Sequence, residues 1–201
     1  MKTYCTLYLV RHGETEWNAK KLIQGATDIP LNKKGERQAK ELAQKLIHVK
    51  FDAVFSSDLV RAKRTAEIIS LEKKLAVKTT KALRERFFGD YEGRSYTKYN
   101  QEIINLFKEY QVKAKNIKGV ETSEQMMARF IPFLRETAVA YMGKTVLILS
   151  HGGIMRAFLI HLGFATQKTL PSGSISNLAY AKIHCDGVEF EIEETEGVNK
   201  T

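Results

Sequence analysis

The chain has two cysteines, three prolines and one tryptophan, and no apolar run approaches the roughly 18–20 residues of a membrane span. Each shortage removes a class of protein. Two cysteines cannot staple a disulfide scaffold, and Cys5 and Cys185 fall into no CxxC-type metal spacing. Both lie in predicted strands, where a free thiol packs as a small hydrophobe and a disulfide is not expected in a reducing cytosol. No repeat, low-complexity tract or Pro/Gly-rich linker offers a boundary, so residues 1–201 are expected to form a single domain with ample chain for a core. The opening MKTYCTLYLV has a short apolar run and no small-residue cleavage site, which is no signal peptide. A cytoplasmic protein is expected.

Hydrophobic residues make up 43% and charged residues 27% of the chain, an ordinary globular balance. The formal net charge is +9, yet the lysines are scattered singly or in pairs (Lys20-Lys21, Lys33-Lys34, Lys73-Lys74, then Lys113, Lys115 and Lys118) with no long basic block. That pattern reads as a solvated surface rather than a nucleic-acid stripe. Neither nucleic acid nor membrane is expected as a partner, although a positive field draws in small anions.

Residues 4–10 form a near-continuous apolar strand, as expected where both faces are covered. Asn32 can cap a helix to about Ile47, with Ala39, Leu42, Ala43, Leu46 and Ile47 as its apolar stripe. Strands are expected at 52–56 and 75–79, with a helix near 60–71 that turns Ile68 and Ile69 inward. The polar, lysine-rich region 94–118 should hold one helix near 97–110. Thr122 and Gln125 form a capping-box pattern opening a helix to about Met142, which Pro132 should bend or interrupt. TVLIL at 145–149 is a buried strand followed by a helix, and LAYAKIHC, Asp186-Gly187 and VEFEIEE read as a terminal hairpin. Alternating strands and helices predict a three-layer α/β/α domain on a mostly parallel sheet with a C-terminal β-hairpin. Ligands of such sheets bind beyond the carboxyl ends of the strands.

Two strand ends each deliver an imidazole followed by glycine: Arg11-His12-Gly13 and Ser150-His151-Gly152. Glycine there allows a sharp turn and close approach of a ligand. On adjacent strands the two rings would share one crevice. Arg61 falls in the first turn of the helix after the second strand, and with Arg11 it offers the paired donors that match phosphate oxygens. Arg64, nearly one turn further on, reads as a surface cation. Glu85, in LRERFFGDYEG, would as a surface residue pair with Arg84 or Arg86. In a phosphate site it could instead protonate a leaving oxygen, provided partial burial keeps its proton. His48, His161 and His184 have no such company and read as surface, helix-face and strand-edge residues.

Taken in order, LVRHGETEWN, QGATDIPLNKKGERQA, SSDLVRAKRTAE, LRERFFGDYEG and LSHGGIMR resemble the histidine phosphatase superfamily, whose founding members are the cofactor-dependent phosphoglycerate mutases. The resemblance implies that His12 is the nucleophile forming a phosphohistidine, and that Arg11, Arg61 and His151 ring the phosphate. It makes Glu85 the proton donor to the leaving alcohol and then the base for water. Asn18, Gln24, Gly25 and Gly152 would contact phosphate or substrate. It implies no metal and no other cofactor, with two arginines and an imidazolium supplying positive charge. A neutral His12 would need its far nitrogen held, and the backbone carbonyl near Gly13 is the expected acceptor.

Mutases of the family carry a long arginine- and proline-rich insertion between the acid and the second histidine. Here that interval contains one proline, Pro132. The chain therefore resembles the phosphatase branch: a histidine acid phosphatase-type phosphomonoesterase acting on small phosphorylated metabolites, as monomer or homodimer, with a mutase as the alternative. Two departures, Tyr91 where many relatives have Trp and Val120-Glu121-Thr122 in place of Gly-Glu-Ser, fall near the expected mouth. The variable lid segment near 94–118 carries several lysines that would suit a sugar bisphosphate or a nucleotide.

Overall fold

The computed structural model describes residues 3–71, 73–95 and 119–201. The expected helix near 97–110, and the lid segment apart from Arg94 and Ser95, lie outside the described residues. One six-stranded sheet holds β1 (Cys5–Arg11), β2 (Ala53–Ser57), β3 (Val77–Thr80), β4 (Thr145–Ser150), β5 (Ile175–Cys185) and β6 (Phe190–Val198) in the order β3-β2-β4-β1-β5-β6. The first four strands are mutually parallel, with β4 between β1 and β2, while β5 and β6 add an antiparallel hairpin beside β1. The architecture is the mostly parallel α/β sheet with a terminal hairpin read from the sequence.

Strand periodicity explains the layers. From β1, Cys5, Leu7 and Leu9 pack on one side with Met126, Phe130, Ile154 and Phe158. Tyr8 and Val10 pack on the other side with Leu42, Leu46, Ala62 and Ala66. The first set of partners belongs to α4 (Ser123–Ala140) and α5 (Gly152–His161), the second to α2 (Lys33–Lys45), its C-cap Leu46 and α3 (Val60–Ser70); α1 is the short Glu16–Ala19. β4 divides likewise between Val146 and Ile148 on one face and Leu147 and Leu149 on the other. Both faces of the central strands are covered, so β1 and β4 carry no polar alternation. Each fully buried Leu or Ile there contributes about 1.5–3 kcal/mol.

Asn32 caps α2 by accepting from the Gly35 N–H at 2.8 Å. Thr122 and Gln125 exchange side-chain and backbone bonds of 2.9 and 3.0 Å, the capping box expected for α4. α4 runs through Pro132 without interruption. Ile47 lies beyond the last turn of α2 and is exposed, and Ile68 is only half-buried beside the buried Ile69. The Asp-Gly pair sits in a four-residue connection whose N–H groups at Val188 and Glu189 donate to Asp186 Oδ1 at 3.0 and 2.8 Å. Cys5 and Cys185 stand opposite each other in the β1–β5 ladder as free, buried thiols, and burial pushes the Cys5 thiol up to about 12. No helix among the described residues is long and apolar enough to cross a membrane.

Candidate active site

Parallel pairing of β1 with β4 sets Arg11 in register with Ser150, and the His12 N–H donates to the Ser150 carbonyl at 3.1 Å. The chain leaves both strands at the same level, so His12 and His151 emerge side by side, ring centroids 5.1 Å apart and planes at 62°. Both rings are buried. His12 Nδ1 lies 2.7 Å from the Gly13 carbonyl oxygen. A carbonyl only accepts, so Nδ1 carries the proton and Nε2 the lone pair. Burial, reinforced by the charges of Arg61 and Arg11, holds the His12 pKa well below 6.5. The ring is neutral at pH 7.

His151 is also held well below 6.5, by burial and then by Arg61, His12 and Arg11. This environment alone keeps it a neutral imidazole. Neither of its ring nitrogens has a hydrogen-bond partner among the described residues, and the same is true of Arg61 Nε.

Arg61 is completely buried in the first turn of α3. Nη2 donates to the Gly25 carbonyl at 2.7 Å and Nη1 to the Thr27 carbonyl at 2.8 Å. Burial lowers its pKa to about 10, so it stays cationic at neutral pH. The loop that receives it is fixed twice: Asp28 accepts from the Val60 N–H at 2.7 Å, and the Glu92 carboxylate accepts from the Ala26 and Thr27 N–H groups at 2.9 Å each. Gly25 has φ +54°, and a Cβ there would collide with the Glu92 carboxylate. Thr65 Oγ1 ties α3 to the turn after His12, accepting from the Gly13 N–H at 3.1 Å and donating to the Arg61 carbonyl at 2.7 Å.

Arg11 Nη1 donates to the Ile175 carbonyl, and its side chain lies against Gly152, where a Cβ would come within 3.0 Å of Nε. Glu85 is placed by two backbone donors: the Arg86 N–H at 2.9 Å and the Gly153 N–H of α5 at 2.7 Å. It does not pair with its flanking arginines. Arg84 forks onto Asp58 through two bonds of 2.7 Å, and the Arg86 guanidinium donates to the Glu121 carbonyl and Ser123 Oγ at 2.6 and 2.7 Å. The glycines after the two histidines serve close packing rather than a left-handed turn, since neither Gly13 nor Gly152 has positive φ. A Cβ at Gly13 would lie 2.6 Å from the Gly35 carbonyl oxygen.

Arg11, His12, Arg61, Glu85 and His151 thus converge beyond the carboxyl ends of β1, β2 and β4. Asn18 and Gln24 border them but are bonded within the protein: Asn18 Oδ1 accepts from the Thr15 N–H at 3.2 Å, and Gln24 Oε1 from the Thr15 hydroxyl at 2.9 Å. Arg64 pairs with Glu36 at 3.0 Å on the surface, and His48 and His161 are exposed. His184 is not at a sheet edge: β5 is interior, and the ring stacks on Tyr4 and meets Glu193 at 2.7 Å. Among the described residues no group of three or more His, Cys, Asp or Glu side chains is arranged to hold a metal ion.

Asn177 escapes the sequence reading. Its Nδ2 donates to the His12 carbonyl at 3.0 Å and reaches Asn18 Oδ1 at 3.4 Å. A register shift between Ile175 and Tyr180, with Leu178 at φ +59°, displaces β5 locally where Asn177 meets the site.

The family model of the histidine phosphatase superfamily (branch 1) matches residues 7–196. The "Uncharacterized phosphatase PhoE" of Bacillus subtilis is 37% identical over 179 residues, covering 87% of this chain and 88% of the relative. A "2,3-bisphosphoglycerate-dependent phosphoglycerate mutase" of Methylocella silvestris is 34% identical, covering 82% of this chain and 84% of the relative. A solved phosphoserine phosphatase of Entamoeba histolytica, in complex with 3-phosphoglyceric acid, superposes with a TM-score of 0.80 at 26% identity over 98% of both chains.

Proposed function

The chain belongs to the histidine phosphatase superfamily, and from that premise we propose that it hydrolyses phosphomonoesters of small metabolites through a phosphohistidine on His12, without a metal. The observation that carries this reading is the tautomer of His12: a neutral ring whose Nδ1–H is held by the Gly13 carbonyl, leaving the Nε2 lone pair as nucleophile.

In the first step Nε2 attacks phosphorus as the ester P–O bond breaks, and the leaving oxygen takes a proton from Glu85. In the second, water attacks the phosphohistidine, the P–N bond breaks, and Glu85 takes the water proton as inorganic phosphate forms. Arg11 and Arg61 balance charge on the equatorial oxygens. The unpartnered Arg61 Nε and His151 ring nitrogens are buried polar atoms that a phosphate can satisfy, and its negative charge would favour protonation of His151. Gly152 adds the N-terminal N–H of α5, while Asn18 Nδ2, Gln24 and Gly25 flank the substrate. Residues 1–201 act as one catalytic domain in the cytoplasm.

Hydrolysis is preferred to mutase action because the arginines around Glu85 are engaged by the protein: Arg84 on Asp58, Arg86 on Glu121 and Ser123. Among the described residues, the arginines that converge with His12 are Arg11 and Arg61, which suit one phosphate, whereas a bisphosphorylated intermediate needs more cations to be retained. The test is phosphate release from a panel of esters, including phosphoserine, phosphoglycerate and sugar phosphates, in the presence of a chelator and with His12→Ala as control. Release that requires His12 and survives chelation supports the proposal. Phosphoglycerate isomerisation stimulated by bisphosphoglycerate, without matching phosphate release, would replace it with the mutase reading.

A further inference from the structure

We infer that Arg129 is a positioning residue for the proton-transferring carboxylate, fixing from α4 the backbone on which Glu85 stands. The inference rests on the reading of Glu85 as acid and base. Glu85 lies outside any strand or helix, just after the 3₁₀ turn Lys81–Leu83. Arg129 Nη1 donates to the carbonyls of Ala82 and Arg84 at 2.8 Å each, and Nη2 donates to that of Glu85 at 3.2 Å. Its other edge, Nε and Nη2, forks onto the Glu121 carboxylate at 2.6 and 2.8 Å. All five guanidinium N–H donors therefore have acceptors.

Glu121 grips the other side of the acid. Its N–H donates to the Phe87 carbonyl at 2.8 Å, its Oε2 accepts from the Phe87 N–H at 3.3 Å, and its carbonyl accepts from Arg86 Nη1 at 2.6 Å. The Arg129–Glu121 pair thus brackets Glu85, holding residues 82–85 through the guanidinium and residues 86–87 through the glutamate. Three carbonyls and a carboxylate at fixed angles require the planar fork of arginine, which a lysine ammonium does not reproduce. Displacing a proton donor by about 1 Å can cost on the order of 10²-fold in rate, but only for a leaving oxygen that needs the proton.

The experiment compares kcat/KM for phenyl phosphate and p-nitrophenyl phosphate, which reports the first phosphoryl transfer and is insensitive to later hydrolysis of the phosphohistidine. It uses the parent, Arg129→Lys, Glu85→Gln and the double variant, with thermal melts alongside. Arg129→Lys is expected to lower the phenyl to p-nitrophenyl ratio several-fold toward the Glu85→Gln value, and to lower it no further in the Glu85→Gln background. A parental ratio in Arg129→Lys, or equal additional loss in the double variant, overturns the inference. A parental ratio in Glu85→Gln itself overturns instead the acid role on which it rests. Should Arg129→Lys fail to fold, Glu121→Gln removes the charge but keeps the shape of the fork's partner. It is expected to lower the same ratio, and a folded Glu121→Gln protein with the parental ratio counts against the inference.

Discussion

The 2.7 Å contact between His12 Nδ1 and the Gly13 carbonyl decides which ring nitrogen can react. It fixes the proton on Nδ1 and leaves a lone pair on Nε2, while burial and two arginines keep the second proton off. In the proposed reaction His12 needs no separate base to deprotonate it. Its partner across the ladder, His151, is kept neutral by the same causes.

Those two depressed pKa values predict how stability depends on pH. The folded pKa of each ring lies below the unfolded value near 6.5. As pH falls through 6.5, the unfolded chain binds protons that the folded chain refuses. Stability is therefore level above that pH and declines below it, by up to about 1.4 kcal/mol per pH unit for each imidazole. Thermal melts between pH 5 and 7 in phosphate-free buffer should show the midpoint dropping with acidification, and a His151→Gln variant should show a shallower drop. Equal slopes in the two proteins would mean that His151 is not held neutral.

Gly153→Ala should separate proton transfer from phosphate binding. The new Cβ would stand 2.5 Å from Glu85 Oε1, the flexible end of a side chain that can swing aside. Thermal stability should change little, while kcat/KM for an alkyl phosphate falls by roughly 10-fold or more and that for p-nitrophenyl phosphate falls much less. Glu85→Gln should show the same selectivity more strongly, at about 10²-fold. Equal losses on both esters would remove the acid role from Glu85.

Arg61→Lys is not a conservative change. An ammonium cannot span the Gly25 and Thr27 carbonyls and also face a phosphate, and here it would be fully buried. Steady-state kinetics should show kcat/KM reduced by about 10²-fold or more for every ester tested, with no dependence on the leaving group. A loss confined to poor leaving groups would assign Arg61 to proton transfer instead.

The central site was legible because its residues break the local pattern. Arg11 and His12 interrupt an apolar strand, and His151 interrupts another. In a sheet covered on both faces, polar groups at strand ends have few other uses. The Asn32 cap and the Thr122–Gln125 capping box were legible because each partner lies three residues from the other. Asn177 was not: its position depends on a register shift and on Leu178 in a left-handed conformation, and nothing about leucine in a strand-like run announces either. Arg129 sits in an amphipathic helix, where an arginine reads as surface, and its carbonyl acceptors lie 44 or more positions away in sequence. The glycines were recognised but their reason was not, because close packing against Arg11 and Gly35 depends on tertiary contacts.

Trapping the phosphorylated enzyme tests the account most directly. The parent protein, mixed with p-nitrophenyl phosphate and quenched in alkali within milliseconds, should carry a single phosphoryl group that is stable to base and labile to acid. Peptide mapping should place it on His12, and His12→Ala should lack both the adduct and all but a residual activity, a loss of at least about 10⁴-fold. Turnover by His12→Ala at the parental rate, or an adduct on any other residue, would contradict the account.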